Sequence, residues 1–161
     1  MLIRRPTVAD AEAIADLHLD VWDEAYADLM AREVLVARRA ARAQRIETWR
    51  ASLADGLWEQ WVADDDGRLV GFATAGGGRD EPEPGLPRRE LMSLYVRASV
   101  YGAGVGPALF DAALGDAAAY LWVLDGNERA IRFYRGRGFA FDGRTTVAPF
   151  GRERRMVRPA A

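Results

Sequence analysis

Gly102, Gly104 and Gly106 alternate just before Pro107-Ala-Leu-Phe-Asp-Ala-Ala-Leu114, a segment with helical spacing. Removing every second side chain lets a ligand approach the backbone and permits positive φ. Pro107 suits a first helical turn, where its missing N–H would have had no partner. Free N–H groups at a helix N-terminus, together with the positive end of the helix dipole, favour an anion such as a pyrophosphate. Two familiar phosphate motifs do not fit. A Walker loop needs Gly-Lys-Ser/Thr, and the chain contains no lysine. A dinucleotide fingerprint needs G-x-G-x-x-G near the start of the chain and an acidic residue after the next strand. Asp125 lies at about that distance, but the glycine spacing and the position in the chain are wrong.

Further along, Leu121-Trp-Val-Leu-Asp-Gly-Asn-Glu-Arg-Ala-Ile-Arg-Phe-Tyr-Arg-Gly-Arg-Gly-Phe139 reads as strand, loop, helix, glycine stop and next strand. With the glycine loop, this resembles the GCN5-related N-acetyltransferase (GNAT) superfamily. Gly104 and Gly106 match the family's R/Q-x-x-G-x-G/A loop. Asn127, Ala130, Phe133, Tyr134, Gly138 and Phe139 match its N-x-x-A-x-x-F-Y-x-x-x-G-F motif without a gap. The resemblance is strong over residues 68–140 and looser before them.

The resemblance implies an α/β (α+β) GNAT fold, with a mixed, mostly antiparallel sheet splayed at its middle strand and about four flanking helices. It implies direct acetyl transfer from acetyl-CoA, without a metal, to a primary amine of a small molecule, amino acid or peptide. Leu94, Tyr95 and Val96 would offer main-chain contacts to the pantetheine arm, with an N–H near Tyr95 for the thioester oxyanion. The amides of Tyr101, Gly102, Ala103, Gly104, Val105 and Gly106 would hold the pyrophosphate. Asn127, Ala130 and Phe133 complete the expected cofactor site, Asn127 equally readable as a plain helix cap. Tyr134 matches the position that protonates the departing thiolate. A phenol of pKa about 10 can donate to a thiolate whose acid has a pKa near 8.5.

Glu90, eleven positions before Tyr101, lies where several branches place a general base, with Asp20 and Asp23 as reserves; it could equally close an ordinary loop edge. Trp22, Asp23 and Tyr26 are expected to line the acceptor pocket. Two positions depart from the family pattern: Tyr101 replaces the usual Arg or Gln, and Ala98 replaces a common proline. Two other readings remain open: a non-catalytic acyl-CoA-binding regulatory module on the same fold, and an acetyltransferase of protein N-termini or side chains.

The elements that must position these residues are legible from periodicity. Leu2–Arg5 reads as a strand ended by Pro6, and Thr7 with Asp10 as a capping-box-like start. Ala11, Ile14, His18, Val21, Trp22 and Ala25 follow at helical spacing. His18 is the single histidine, better read as a packed helix residue than as a base. Residues 31–54 read as an arginine-rich helical region. Its Arg32, Arg38, Arg39, Arg42, Arg45 and Arg50 read as a solvated face, with attraction of the CoA phosphates or an acidic acceptor as the other reading. Trp58–Ala63 and Arg68–Ala75 pair as a hairpin across the Asp64-Asp-Asp-Gly67 turn. Residues 76–87, glycine- and proline-rich, form a flexible loop rimming the site. Arg89–Val96 is the central strand, residues 119–124 the next, and Phe139–Phe141 and Glu153–Val157 close the sheet.

Length and composition bound the rest. The 161 residues fit one domain, 1–161. Half are apolar and the net charge is −2, which gives no bias toward nucleic acid or anionic membrane. No apolar run approaches a membrane span, and the N-terminus does not read as a signal peptide. A cytoplasmic location is therefore expected. Cysteine is absent, which excludes a disulfide or a cysteine nucleophile. A homodimer is open, with no interface signal.

Overall fold

A computed structural model describes residues 1–160. In chain order its elements are β1 (Leu2–Arg4), α1 (Ala11–Tyr26), α2 (Arg32–Ala40), α3 (Arg42–Asp55), β2 (Glu59–Asp65), β3 (Arg68–Gly77), β4 (Arg89–Val96), α4 (Val105–Ala113), β5 (Ala119–Leu124), α5 (Glu128–Arg135), β6 (Ala140–Ala148) and β7 (Gly151–Arg158). Single 3₁₀ turns precede α1 and follow β4. The strands form one sheet in the order β1-β2-β3-β4-β5-β7-β6. Every pairing is antiparallel except β4 with β5.

The alternation of side chains along a strand builds two cores, one on each face. Ala63, Val70 and Ala73 pack with Leu109 and Phe110 of α4, Ile131 of α5 and Phe139. Their neighbours Val62, Leu69 and Phe72 face the other way, against Ile14, Leu17, Val21 and Trp22 of α1 and Trp49 and Leu53 of α3. Close approach on the first face needs a glycine at 71. A Cβ there would stand 2.9 Å from both Leu109 Cδ1 and the Tyr95 carbonyl.

Three details differ from the sequence reading. The arginine-rich region is two helices, so five flank the sheet rather than about four; the backbone breaks at Ala41, with φ −87° and ψ 18°. The hairpin β6–β7 is longer than expected, running Ala140–Ala148 and Gly151–Arg158, because its outer strand is exposed and lacks the apolar alternation that marks a strand. The loop over residues 78–88 is pinned to the sheet. Arg155 is buried and holds Asp80 at 2.8 Å and Asp142 at 2.7 Å, with Glu83 as a third carboxylate. The Tyr120 hydroxyl accepts from the Asp80 amide at 2.9 Å.

Candidate functional site

β4 and β5 separate almost as soon as they meet. Glu90 opposite Tyr120 is their one registered pair, whereas β4 pairs with β3 along its length. Beyond that pair the β5-facing edge of β4 has no strand partner, and Leu94, Tyr95 and Val96 border a cavity of ≈ 660 Å³. That volume is in the range of small-molecule sites, about 300–1,000 Å³.

The glycine loop closes one end of the cavity. Gly102 and Gly104 have φ of 78° and 83°, a region that side-chain-bearing residues rarely adopt. The turn divides its amides into two sets. Tyr101 and Ala103 donate to the Ala98 and Val100 carbonyls at 3.2 Å each. Among the described residues, the amides of Gly102, Gly104, Val105 and Gly106 have no protein acceptor. They are the unpaired donors expected at a helix start. Ala103, expected in the cofactor site, accordingly does not line the cavity, while Tyr101, Gly102, Gly104, Val105 and Gly106 do. A guanidinium stands beside Tyr101: that of Arg129 lies over the Tyr101 ring, 3.7 Å from its centroid, and Arg129 also lines the cavity.

α5 brings Asn127, Ala130, Phe133 and Tyr134 to the same cavity. Asn127 caps the helix, its side-chain oxygen accepting from the Ala130 amide at 3.3 Å. Tyr134 is buried to 8% exposure, and its ring meets Phe133 and Phe139 edge-on. No described residue hydrogen-bonds its hydroxyl. Burial, and then the neighbouring Tyr95, push its pKa above the usual phenol value, so the group stays protonated.

The other end is aromatic. Trp22 and Tyr26 of α1 line it as expected, together with His18, Tyr95 and Phe150. The Tyr26 and Tyr95 hydroxyls are 3.1 Å apart. Asp23, also expected in the pocket, does not line it; its carboxylate accepts from Arg39 at 2.6 Å. Asp20 is likewise engaged, by Arg39 and Arg97.

Glu90 does not face the cavity either. Its side chain is fully buried at the start of β4, accepting from Arg79 Nη2 at 2.5 Å, the Arg79 amide at 2.9 Å and the Tyr120 hydroxyl at 3.1 Å. The position expected of a general base is therefore not one that opens on the cavity: the side chain points to Arg79 instead. Arg79 itself lines the cavity and separates Glu90 from it.

Sequence reasoning missed Arg79, Arg129 and Glu153 as cavity residues and read Arg38 and Arg45 chiefly as a solvated face. Glu153 on β7 reaches the cavity half-buried, and no described residue forms a salt bridge or hydrogen bond with its carboxylate. Burial raises its pKa above the usual carboxylate value; Arg79 opposes the shift and Glu90 adds to it. Arg38 and Arg45 line the aromatic end. Their helical spacing was visible in the chain, but nothing local distinguished them from the outward-facing Arg39 and Arg42.

Comparison with known proteins agrees with this geometry. A family model described as "Acetyltransferase (GNAT) family" matches residues 12–139. A Mycobacterium tuberculosis protein named "probable N-acetyltransferase" is 27% identical over 146 residues, covering 89% of this chain and 82% of that protein. The mycothiol acetyltransferase of Propionibacterium freudenreichii is 39% identical over 83 residues, covering 48% of this chain and 26% of that protein. Among solved structures, the PaiA N-acetyltransferase of Thermoplasma acidophilum in complex with coenzyme A superposes with a TM-score of 0.72. It is 18% identical, with 98% of each chain covered.

Proposed function

The chain belongs to the GNAT acetyltransferase family, and from that premise we propose that it transfers an acetyl group from acetyl-CoA to a primary amine, of a small molecule or of an amino acid or peptide, with residues 1–161 acting as one catalytic domain. The observation that carries this reading is the cavity between β4 and β5, bordered by unpaired strand edge, unpaired loop amides and the Tyr134 phenol. The likeness of the fold to a coenzyme A complex supports the choice of cofactor.

The residues present suit that cofactor. Amides of Gly102, Gly104, Val105 and Gly106 converge as an anion cradle at the α4 N-terminus, and Arg129 adds a positive charge beside it. The open edge of β4 at Leu94–Val96 is a template for an extended, amide-bearing arm, which binds as an added strand would. Acetyl-CoA supplies the thioester carbonyl. A main-chain N–H near Tyr95 then stabilises charge developing on its oxygen.

Two side chains divide the proton transfers. The acceptor arrives mostly as ammonium and must lose a proton before its nitrogen can attack. Glu153 is the carboxylate placed to take it: it faces the cavity, no salt bridge engages it, and burial raises its basicity. As the new C–N bond forms and the C–S bond breaks, Tyr134 hands its proton to the departing sulfur. Tyr26 lies within electrostatic reach of both Tyr134 and Glu153, so acid and base act in one chamber. Glu90 takes a positioning role through Arg79, which neighbours Glu153.

Thiol release from acetyl-CoA in the presence of a panel of amines tests the reading. Amine-dependent release supports it. Absence of release together with absence of acetyl-CoA binding sinks it.

A further inference from the structure

On the acetyltransferase reading, the acceptor binds at the aromatic end of the cavity, beside Trp22 and Tyr26. Four arginines follow closely in α2 and the first turn of α3, and they divide into two pairs. Arg39 donates to Asp20 and Asp23, and Arg42 to Glu12 and Asp16, binding these helices to α1. Arg38 and Arg45 turn the other way and line the cavity. Among the described residues, neither has a carboxylate within ion-pair distance. The Nε atoms of both are buried without a hydrogen-bond partner. The Arg38 guanidinium lies on the Trp22 ring, 3.2 Å from its centroid, and its one polar contact is a long 3.5 Å approach to His18 Nε2.

Such an arrangement is costly. Two like charges stand near one another, partly withdrawn from water and without a counter-charge. Burial disfavours the charge of both, and Arg45 adds to the effect on Arg38. The nearby α1 carboxylates that would relieve the cost are engaged by Arg39, Arg42 and Arg97. A guanidinium stacked on an aromatic face keeps its N–H edges free, and its planar fork matches a carboxylate or phosphate. Tyr26 and Tyr95 lie within electrostatic reach of Arg38 on one side and of Glu153 on the other. Glu153 and Arg79 are the remaining charges at that end of the chamber.

We propose that Arg38 and Arg45 form an anion subsite in the acceptor pocket, so that the amine acetylated carries an oxyanion group, a carboxylate or a phosphate. The oxyanion sits at the two guanidiniums over Trp22, and the amine extends past Tyr26 and Tyr95 to Glu153. The acceptor class is thereby narrowed from amines in general to amino acids and amino phosphates.

Matched probes test this. With the full chain and acetyl-CoA, L-phenylalanine is compared with phenethylamine, and O-phosphoethanolamine with ethanolamine, by thiol release. Melting shifts with coenzyme A present are measured in parallel. The anionic member of at least one pair is expected to show kcat/KM higher by about tenfold or more, as hydrogen bonds between charged groups allow. Which pair responds separates carboxylate from phosphate. In Arg38→Gln and Arg45→Gln that preference collapses toward one, and Arg38→Lys retains part of it. Circular dichroism checks the fold of each variant.

Equal or better use of the uncharged amines overturns the proposal, as does a preference that survives both substitutions. Acetyl-CoA affinity that falls in step with the arginines would assign them to the cofactor and also overturn it. If no amine releases thiol, it is the acetyltransferase reading that fails. The anion subsite is then decided by melting shifts alone: stabilisation by phenylalanine or O-phosphoethanolamine that both variants lose upholds it, and no stabilisation overturns it.

Discussion

Arg79 closes off Glu90: its Nη2 lies 2.5 Å from one oxygen of a carboxylate that is itself fully buried. A carboxylate held by a guanidinium, a backbone amide and a phenol has little reason to take a proton from substrate. Among the described residues the Glu153 carboxylate has neither a salt bridge nor a hydrogen-bond donor, and the residue lines the cavity. The two glutamates are therefore expected to fail differently. Glu153→Gln should lower kcat by about 10²-fold or more, with the fold and acetyl-CoA affinity retained. Glu90→Gln should chiefly lower the melting temperature, because it weakens the buried hydrogen bonds that the carboxylate accepts from the Arg79 amide and the Tyr120 hydroxyl. Steady-state kinetics and thermal melts on both variants check the distinction, and the reverse pattern would restore Glu90 as the base.

Tyr134→Phe removes one hydroxyl and leaves the packing against Phe133 and Phe139 in place. Turnover should fall by about 10²-fold or more, while acetyl-CoA binding by calorimetry stays near wild type. A variant as active as wild type would remove the phenol from the proton path.

At Gly104, φ of 83° is one that an alanine adopts only with strain. Gly104→Ala should cost about 1 kcal/mol at that turn. A Cβ there meets nothing within 4 Å, so the damage is to backbone conformation rather than to packing. Weaker acetyl-CoA binding with kcat little changed at saturation is the expected result, read by calorimetry beside kinetics.

Arg155, 5% exposed, ties Asp80, Glu83 and Asp142 together and thereby fastens the 78–88 loop across the sheet. Arg155→Met leaves Asp80 and Asp142 without their shared cation and Glu83 with the exposed Arg144 alone. A loss of about 3 kcal/mol in unfolding free energy is expected, measured by chemical denaturation. A stability within 0.5 kcal/mol of wild type, roughly the spread of surface substitutions, would show that the loop is held by other means.

His18 gives a pH dependence of definite sign. Burial first, and then the charges of Arg38 and Arg45, lower its pKa to about 3 from a usual value near 6.5. The folded state thus prefers the neutral ring. Its contribution is fully present above about pH 6.5 and is lost progressively as the pH falls toward 3. Melting temperature should drop more steeply from pH 7 to pH 4.5 in wild type than in His18→Asn. Parallel slopes would exclude the effect.

Much of the fold was legible in the chain, and so were most of the residues that line the cavity beside the glycine loop, Ala103 excepted. Alternating glycines before a helix, Asn127 at a helix start, and Phe133-Tyr134 nearly two turns on are local signals, made by residues that lie near one another in sequence. Their consequences follow from backbone dihedrals and helix ends, which do not depend on distant packing. What faces the acceptor does depend on it. Glu90 was a free carboxylate in the chain until the register of β4 set it against Arg79. Glu153 looked like one charge in a closing strand until β7 paired with β5 and turned it into the cavity. Arg38 and Arg45 were indistinguishable from Arg39 and Arg42 until α1 presented carboxylates to one pair and not to the other. Helical and strand periodicity specify that a side chain points to one face; only the partner across that face decides whether its charge is neutralised or left for a ligand.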